Sequence, residues 1–316
     1  MSNHNNNKRG AVAKVNKADE FYTRLEDIEI GCQPYLKYFE NKIIYCNCDD
    51  YNISFFVKYF QNNFRNLKLK KFISTGYNKN GNGYYSEFDG ENIITKNLQG
   101  NGDFRSAECM DLLKQSDIII TNPPFSLFKE YILTLYEYNK QFLLVGNQMA
   151  LMYQELFTLF KNNKLFLGKG FKGNVGFFYS DYDNIVSKRN LFKEGCIRVS
   201  GITWYTNLPT EINPPLLLEN KYNEKDYPIY DNYNVIEVNK TKNIPYDYDG
   251  IMGVPITFLY KYNPNQFEIV GLSYSWDNSP IMESIRTDQS NRNNAKLNGK
   301  LVYTRIFIKN KTPLNN

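Results

Sequence analysis

The chain has 316 residues, 42% hydrophobic and 16% aromatic, enough apolar material for a large packed core and too much for wholesale disorder. Its net charge of +5 is modest, and its single histidine, His4, lies in an Asn-rich leader. A Ser-His-Asp triad, a His-ligated zinc and an imidazole base are therefore excluded from the core.

Five scattered cysteines (Cys32, Cys46, Cys48, Cys109 and Cys196) suit free thiols in a reducing compartment. Cys46-Asn47-Cys48 is too tight for a usual zinc pair. No apolar run reaches the length of a membrane span and no apolar signal region follows the start, so a soluble, cytoplasmic protein is expected. Charge is segregated. Residues 1–18 carry four basic side chains and no acid, residues 161–200 eight against three, and residues 284–316 seven against Asp288 alone. The rest is net acidic, a distribution suited to a polyanion on one face and equally to solvated loops.

Residues 1 to about 17 lack apolar periodicity and read as a disordered basic leader. The stretch from Ile28 to Phe39 reads as helical, broken by Pro34. Lys42 to Cys46 is the first strand, Asn47 to Asp50 its turn, and Ile53, Phe56, Val57, Phe60 and Phe64 then recur at helical spacing. That order opens a βαβ unit. Phe72 to Thr75 is the second strand, Gly76 to Tyr85 a loop, Glu91 to Thr95 a short strand and Gly100 to Phe104 a turn. A helix over Ser106–Lys114 leads to Ile118-Ile119-Ile120, a β-branched run that reads as a strand buried on both faces.

That run stops at Asn122-Pro123-Pro124-Phe125. The two prolines cannot join a ladder and hold the residues before them extended. Asn122 thus ends the strand in a rigid turn at the carboxyl edge, where open α/β sheets bind ligands. The Asn122 side-chain oxygen and the Pro123 carbonyl can there accept from both hydrogens of an aromatic amine, with Phe125 stacking on the ring. Ordinary turn punctuation is the bland alternative. Ser126 is positioned to cap a helix with Leu127, Tyr131 and Leu135 on one face.

Phe142 to Val145 reads as a strand, Leu156, Leu159 and Phe160 as a helix face, and Leu165 to Leu167 as a strand. The alternation specifies an α/β, doubly wound sheet with helices on both faces. Beyond Gly168 the rhythm changes. Trp204 to Thr206, Val254 to Leu259 and Leu301 to Ile308 read as strands, residues 207–249 hold no long helical pattern, and Ser279 to Asn298 reads as polar and mobile.

The Asn-Pro-Pro-Phe turn resembles the catalytic motif of S-adenosylmethionine-dependent amino-group methyltransferases, its Phe pointing to the adenine-N6 branch. Glu20-Phe21-Tyr22-Thr23, Tyr45 to Asp50, Gly102-Asp103-Phe104 and Asn122 to Phe125, in that order, resemble the EcoRI-type adenine-specific DNA methyltransferase family. The likeness continues through Gly201 to Leu208 and Met252 to Phe258. It implies a Rossmann-like methyltransferase domain over residues 19–210 and a strand-rich region over 211–316 that contacts the target. It also implies methyl transfer to N6 of an adenine flipped out of duplex DNA. Asn122, Pro123, Pro124 and Phe125 are then catalytic. Phe21, Tyr22, Thr23, Cys46, Asp49, Asp50, Asp103 and Asn122 form the cofactor set, with the carboxylates after the first strand facing the methionine ammonium and Asp103 the adenine amine. Lys188, Arg189, Lys193 and Arg292 are the expected phosphate contacts, no metal is expected, and the enzyme is expected to be a monomer. A restriction endonuclease acting on the same site is a possible partner. The first turn lacks a Gly-rich loop, and the second strand ends without an acid for the ribose. An RNA or protein-glutamine methyltransferase and a non-catalytic nucleic-acid-binding protein are the alternatives at this stage.

Overall fold

A computed structural model describes residues 22–179, 196–274, 276–289 and 294–314. The leader, Phe21, Lys188, Arg189, Lys193 and Arg292 lie outside these residues. The chain divides into two compact units, the first ending at Thr210 and the second beginning at Glu211.

In chain order the first unit contains β1 (Tyr22–Thr23), α1 (Leu25–Cys32), β2 (Ile43–Cys46), α2 (Phe55–Asn63), β3 (Lys71–Gly76), β4 (Tyr84–Phe88) and β5 (Ile93–Asn97). It continues with α3 (Ala107–Gln115), β6 (Ile118–Thr121), α4 (Phe128–Glu137), β7 (Gln141–Asn147), α5 (Gln154–Lys161), β8 (Phe166–Gly168), β9 (Val175–Tyr179), β10 (Ile197–Ser200) and β11 (Ile202–Thr206). Eight strands form one mixed sheet in the order β5-β4-β3-β2-β6-β7-β11-β8.

The central four, β3-β2-β6-β7, are parallel. The chain starts at β2, moves to β3 on one side, then returns to β6 on the other, so the order reverses between β2 and β6. A crevice opens at the carboxyl ends of strands at such a reversal. The parallel strands are buried on both faces, which is why Ile118, Ile119 and Ile120 read as an unbroken apolar run. Alternate residues Ile44, Phe72, Ile118, Ile120, Leu143 and Val145 share a core with α1 and α2. The opposite face meets α3 and α4: Phe128 packs edge-on to Tyr205 and Tyr136 to Phe142, with ring centroids 5.0 and 5.7 Å apart.

Several local expectations are revised. The helix expected from Ile28 to Phe39 is α1 followed by a 3₁₀ turn, Gln33–Tyr38, because Pro34 cannot continue an α-helix. Tyr84 and Tyr85 belong to an edge hairpin rather than a loop. Ser126 does not cap α4; it lies exposed in the 3₁₀ turn Phe125–Leu127, and Leu127 precedes the helix. The strand expected over Val254–Leu259 ends at Pro255, which opens a 3₁₀ segment.

The second unit contains β12 (Ile236–Glu237), β13 (Ile251–Pro255), β14 (Phe267–Leu272), α6 (Pro280–Ile285), β15 (Lys296–Leu297), β16 (Lys300–Leu301) and β17 (Arg305–Asn310). Four strands pair as β12-β13-β17-β14, and a core of Tyr230, Tyr233, Val270, Met282 and Phe307 lies among them. The helix α6 falls in the stretch expected to be mobile, and Leu301 to Ile308 is two strands, not one. No helix among the described residues is long and apolar enough to cross a membrane.

Candidate functional site

A cavity of about 300 Å³ opens at the carboxyl edge of β2, β3 and β6. Its lining includes Thr23, Asp49, Asp50, Asp103, Arg105 and Asn122. Four segments far apart in sequence therefore converge on one space, one of them, β1, from outside the eight-stranded sheet.

Asn122 follows the last residue of β6 and is half-buried. Pro124 lines the cavity beside it. Pro123 is buried, and Phe125 packs partly against the first core; neither side chain is part of the lining. Cys46, the last residue of β2, points into that same core and is fully buried, its thiol pushed well up by desolvation.

The turn after β2 is densely bonded. Asp49 is 6% exposed. Its Oδ1 accepts from the Ser54 hydroxyl at 2.6 Å and its Oδ2 from the Thr121 hydroxyl at 2.5 Å. Burial nevertheless raises its pKa to about 6, the two hydroxyl bonds opposing that rise. Asp50 is half-buried and receives the backbone and side-chain amides of Asn52, each at 2.9 Å. Asn47 accepts from the buried Tyr131 hydroxyl of α4, fixing the turn from the opposite side.

Asp103 is held by Arg105, whose Nη2 and Nε donate at 2.7 and 2.9 Å; that pairing keeps its carboxyl below the ordinary range. Arg105 lines the cavity too, and residue-by-residue reading overlooked it. The readable signal was the Asp-Phe-Arg spacing, which puts both charged side chains on one side of a tight turn. Gly102 makes this turn possible. Its φ is +82°, and an added Cβ would fall 2.3 Å from the Gly76 carbonyl oxygen. Tyr77 and Phe55 supply apolar lining that the sequence did not single out, joined by Leu127, which was expected on a helix face.

Tyr22 and Thr23 reach the cavity on β1, paired with Tyr179 and Phe178 of β9. The Thr23 hydroxyl is buried and has no hydrogen-bond partner among the described residues. A buried hydroxyl facing a cavity with its bond unmade is a ready contact for a polar ligand. Three carboxylates, one free hydroxyl and several aromatic rings fit a cationic, partly aromatic molecule of the S-adenosylmethionine kind.

Residues 11–311 match the sequence profile of the family described as adenine-specific methyltransferase EcoRI. The chain is 44% identical to the Type II methyltransferase M.EcoRI of Escherichia coli, over 98% of this chain and 99% of that protein. It is 43% identical to M.MgeORF184P of Mycoplasma genitalium, over 94% and 97% of the two chains. It is also 40% identical to M.MpnI of Mycoplasma pneumoniae, over 94% and 96%. Both carry the same Type II methyltransferase designation. No solved structure matches the chain. A match over nearly the whole length sets aside the protein-substrate, RNA and non-catalytic alternatives, and the chain belongs to the EcoRI family of adenine-specific methyltransferases.

Proposed function

We propose that this enzyme methylates N6 of an adenine flipped out of duplex DNA at a short specific site, using S-adenosylmethionine. The observation that carries the reading is the placement of Asn122 at the end of β6, in one cavity with Thr23, Asp49, Asp50 and Asp103. The central parallel strands, reversing order at β2 and β6, support a Rossmann-like methyltransferase domain.

S-adenosylmethionine, when bound, supplies a methyl group already activated on a sulfonium. The protein's task is then to bind, orient and polarise. Asn122 and the Pro123 carbonyl accept from the two N–H groups of the adenine amine and favour a tetrahedral nitrogen with a localised lone pair. Thr23 and the carboxylates after β2 hold the amino-acid end of the donor, and Asp103 its base. Extruding the target costs a few kcal/mol of unpairing, which stacking on a ring offsets by roughly 1–3 kcal/mol. Phe125 is the proposed ring.

The second unit is proposed to make target contacts. Its β15–β16 ribbon turns through Asn298 and Gly299, at φ 51° and 74°, and the Asp231 carboxylate accepts from both amides at 3.2 and 2.7 Å. The clamped ribbon exposes Lys300 and Leu301, and Tyr303 beyond it is 90% exposed. A two-stranded ribbon with lysine and aromatic side chains fits a DNA groove. Lys188, Arg189, Lys193 and Arg292 remain proposed phosphate contacts. A restriction endonuclease reading the same site is the proposed biological partner, acting on shared DNA rather than bound to this chain.

Expression in a host without adenine methylation, followed by sequencing of modified adenines, tests the reading. One methylated motif is expected. Unmodified DNA from a host making folded protein overturns it.

A further inference from the structure

We propose that Thr121 is the positioning residue for Asn122, its hydroxyl locking the end of β6 to the turn after β2 through the carboxylate of Asp49. The inference rests on the catalytic reading of Asn122 above.

The ladder between β2 and β6 has only two registered pairs, Ile44 with Ile118 and Tyr45 with Ile119. Toward β7, by contrast, β6 stays paired as far as Thr121 with Leu144. On the side where the order reverses, the strand end thus leaves its backbone pairing two residues before Thr121. The Thr121–Asp49 bond, 2.5 Å long, bridges that gap. Asp49 is itself anchored in two further ways. Its amide donates to the Thr75 carbonyl of β3 at 2.8 Å, and its second oxygen takes the Ser54 hydroxyl. Ser54 in turn caps α2 by accepting from the Phe56 amide at 3.0 Å. One residue, Asp49, therefore joins the ends of three parallel strands and the start of a helix at the rim of the cavity: its amide reaches β3, and its carboxylate reaches β6 and the cap of α2.

Packing alone does not require this arrangement. Thr121 is fully buried after three isoleucines, where valine would fill the same volume. A carboxylate buried with two hydroxyls, rather than a cation, as its hydrogen-bonding partners is a poor way to stabilise a fold. What it does supply is a short, directional, charge-assisted bond to the residue before Asn122.

Thr121→Val and Thr121→Ser separate this role from packing. Single-turnover methylation, cofactor Kd and KM for DNA would be measured in each. Thr121→Val is expected to slow transfer about 10–100-fold, since displacements near 1 Å have effects of that size, while KM for DNA stays within about threefold and cofactor Kd, which Asp49 also serves, changes by less than the rate. Thr121→Ser, which keeps the donor, is expected to restore the rate to within about threefold of the parent. If Thr121→Val does not fold, Thr121→Cys takes its place against Thr121→Ser, with a rate about 10-fold below the serine variant expected from its weak donor. A parental rate in Thr121→Val, an equal defect in Thr121→Ser, or a loss confined to the affinities overturns the proposal. Asn122→Ala distinguishes the two levels. If it is inactive while Thr121→Val is normal, positioning alone fails; if it is active, the catalytic reading itself fails.

Discussion

Among the described residues each unit buries two carboxylates, Asp27 and Asp49 in the first and Glu237 and Asp277 in the second, and Asp49 and Glu237 are treated very differently. In the first, Asp49 has hydroxyls as its hydrogen-bonding partners and its pKa is raised to about 6 by desolvation. In the second, Glu237 faces the Arg305 guanidinium, with Nη2 and Nε at 2.8 and 3.0 Å, and also accepts from the buried Tyr230 hydroxyl. A charge held by its counter-ion belongs to the architecture. A charge held uncompensated at the rim of a cavity is tolerated for what it does there.

The largest effect expected on this contrast is at Asn122, beside the uncompensated acid. Asn122→Ala should reduce turnover by roughly 10²–10³-fold, the usual consequence of removing one preorganised polar contact, with the fold and much of the cofactor affinity retained. Rapid-quench methylation and calorimetry would separate the two. Near-parental turnover would remove Asn122 from the chemistry.

Next comes the paired acid. Glu237→Ala leaves Arg305 partly buried without its counter-ion and should destabilise the protein by roughly 3–5 kcal/mol. Urea denaturation, following a probe in the second unit, measures it. A change under 1 kcal/mol would mean that water replaces the pair easily, and that the two carboxylates differ less than their surroundings suggest.

Asp49→Asn should behave in the opposite way. The folded pKa, about 6, lies above the ordinary aspartate value of 3.8, so between those values the folded state holds the proton more tightly. Ionised Asp49 therefore penalises folding above pH 6, and the penalty fades as pH falls toward 4. The variant should match the parent near pH 4 and exceed it by up to about 3 kcal/mol at pH 8, less whatever its poorer hydrogen bonds lose. Stability gained together with activity lost marks a functional charge. A variant less stable than the parent at both pH values would assign Asp49 to the fold.

The smallest effect concerns the ribbon. Lys300→Ala should weaken DNA binding about equally for all sequences and lower the salt slope by roughly one, whereas Tyr303→Ala should weaken it with the slope unchanged. Identical slopes and affinities in both variants would leave the ribbon facing solvent.

Much of the fold was readable because it depends on local pattern. The unbroken β-branched run at Ile118–Ile120 marked the central strand, and the strand–turn–helix order from Lys42 to Phe64 marked the first βαβ unit. The Asn-Pro-Pro-Phe turn could be read because proline restricts the backbone whatever surrounds it. Edge elements were less legible. Tyr84 to Phe88 lies in a Gly/Asn/Tyr-rich context, and its strand character comes from pairing with β3 rather than from its own residues. Ser126 looked like a cap, but the 3₁₀ turn after Pro124 moved the helix start past it.

Residue types and their spacing by themselves narrowed the chemistry: a single histidine in the leader, and a rigid amide-bearing turn ending a buried strand, whose resemblance to the methyltransferase motif pointed to the reaction. Only tertiary structure decided which side chains serve that turn. Arg105 reaches the cavity because Gly102 can adopt a backbone conformation closed to other residues. Asp49 and Thr121 are 72 positions apart, and nothing local couples them. They meet because parallel strands place residues from distant βα turns at one edge, and because the sheet reverses its order between β2 and β6.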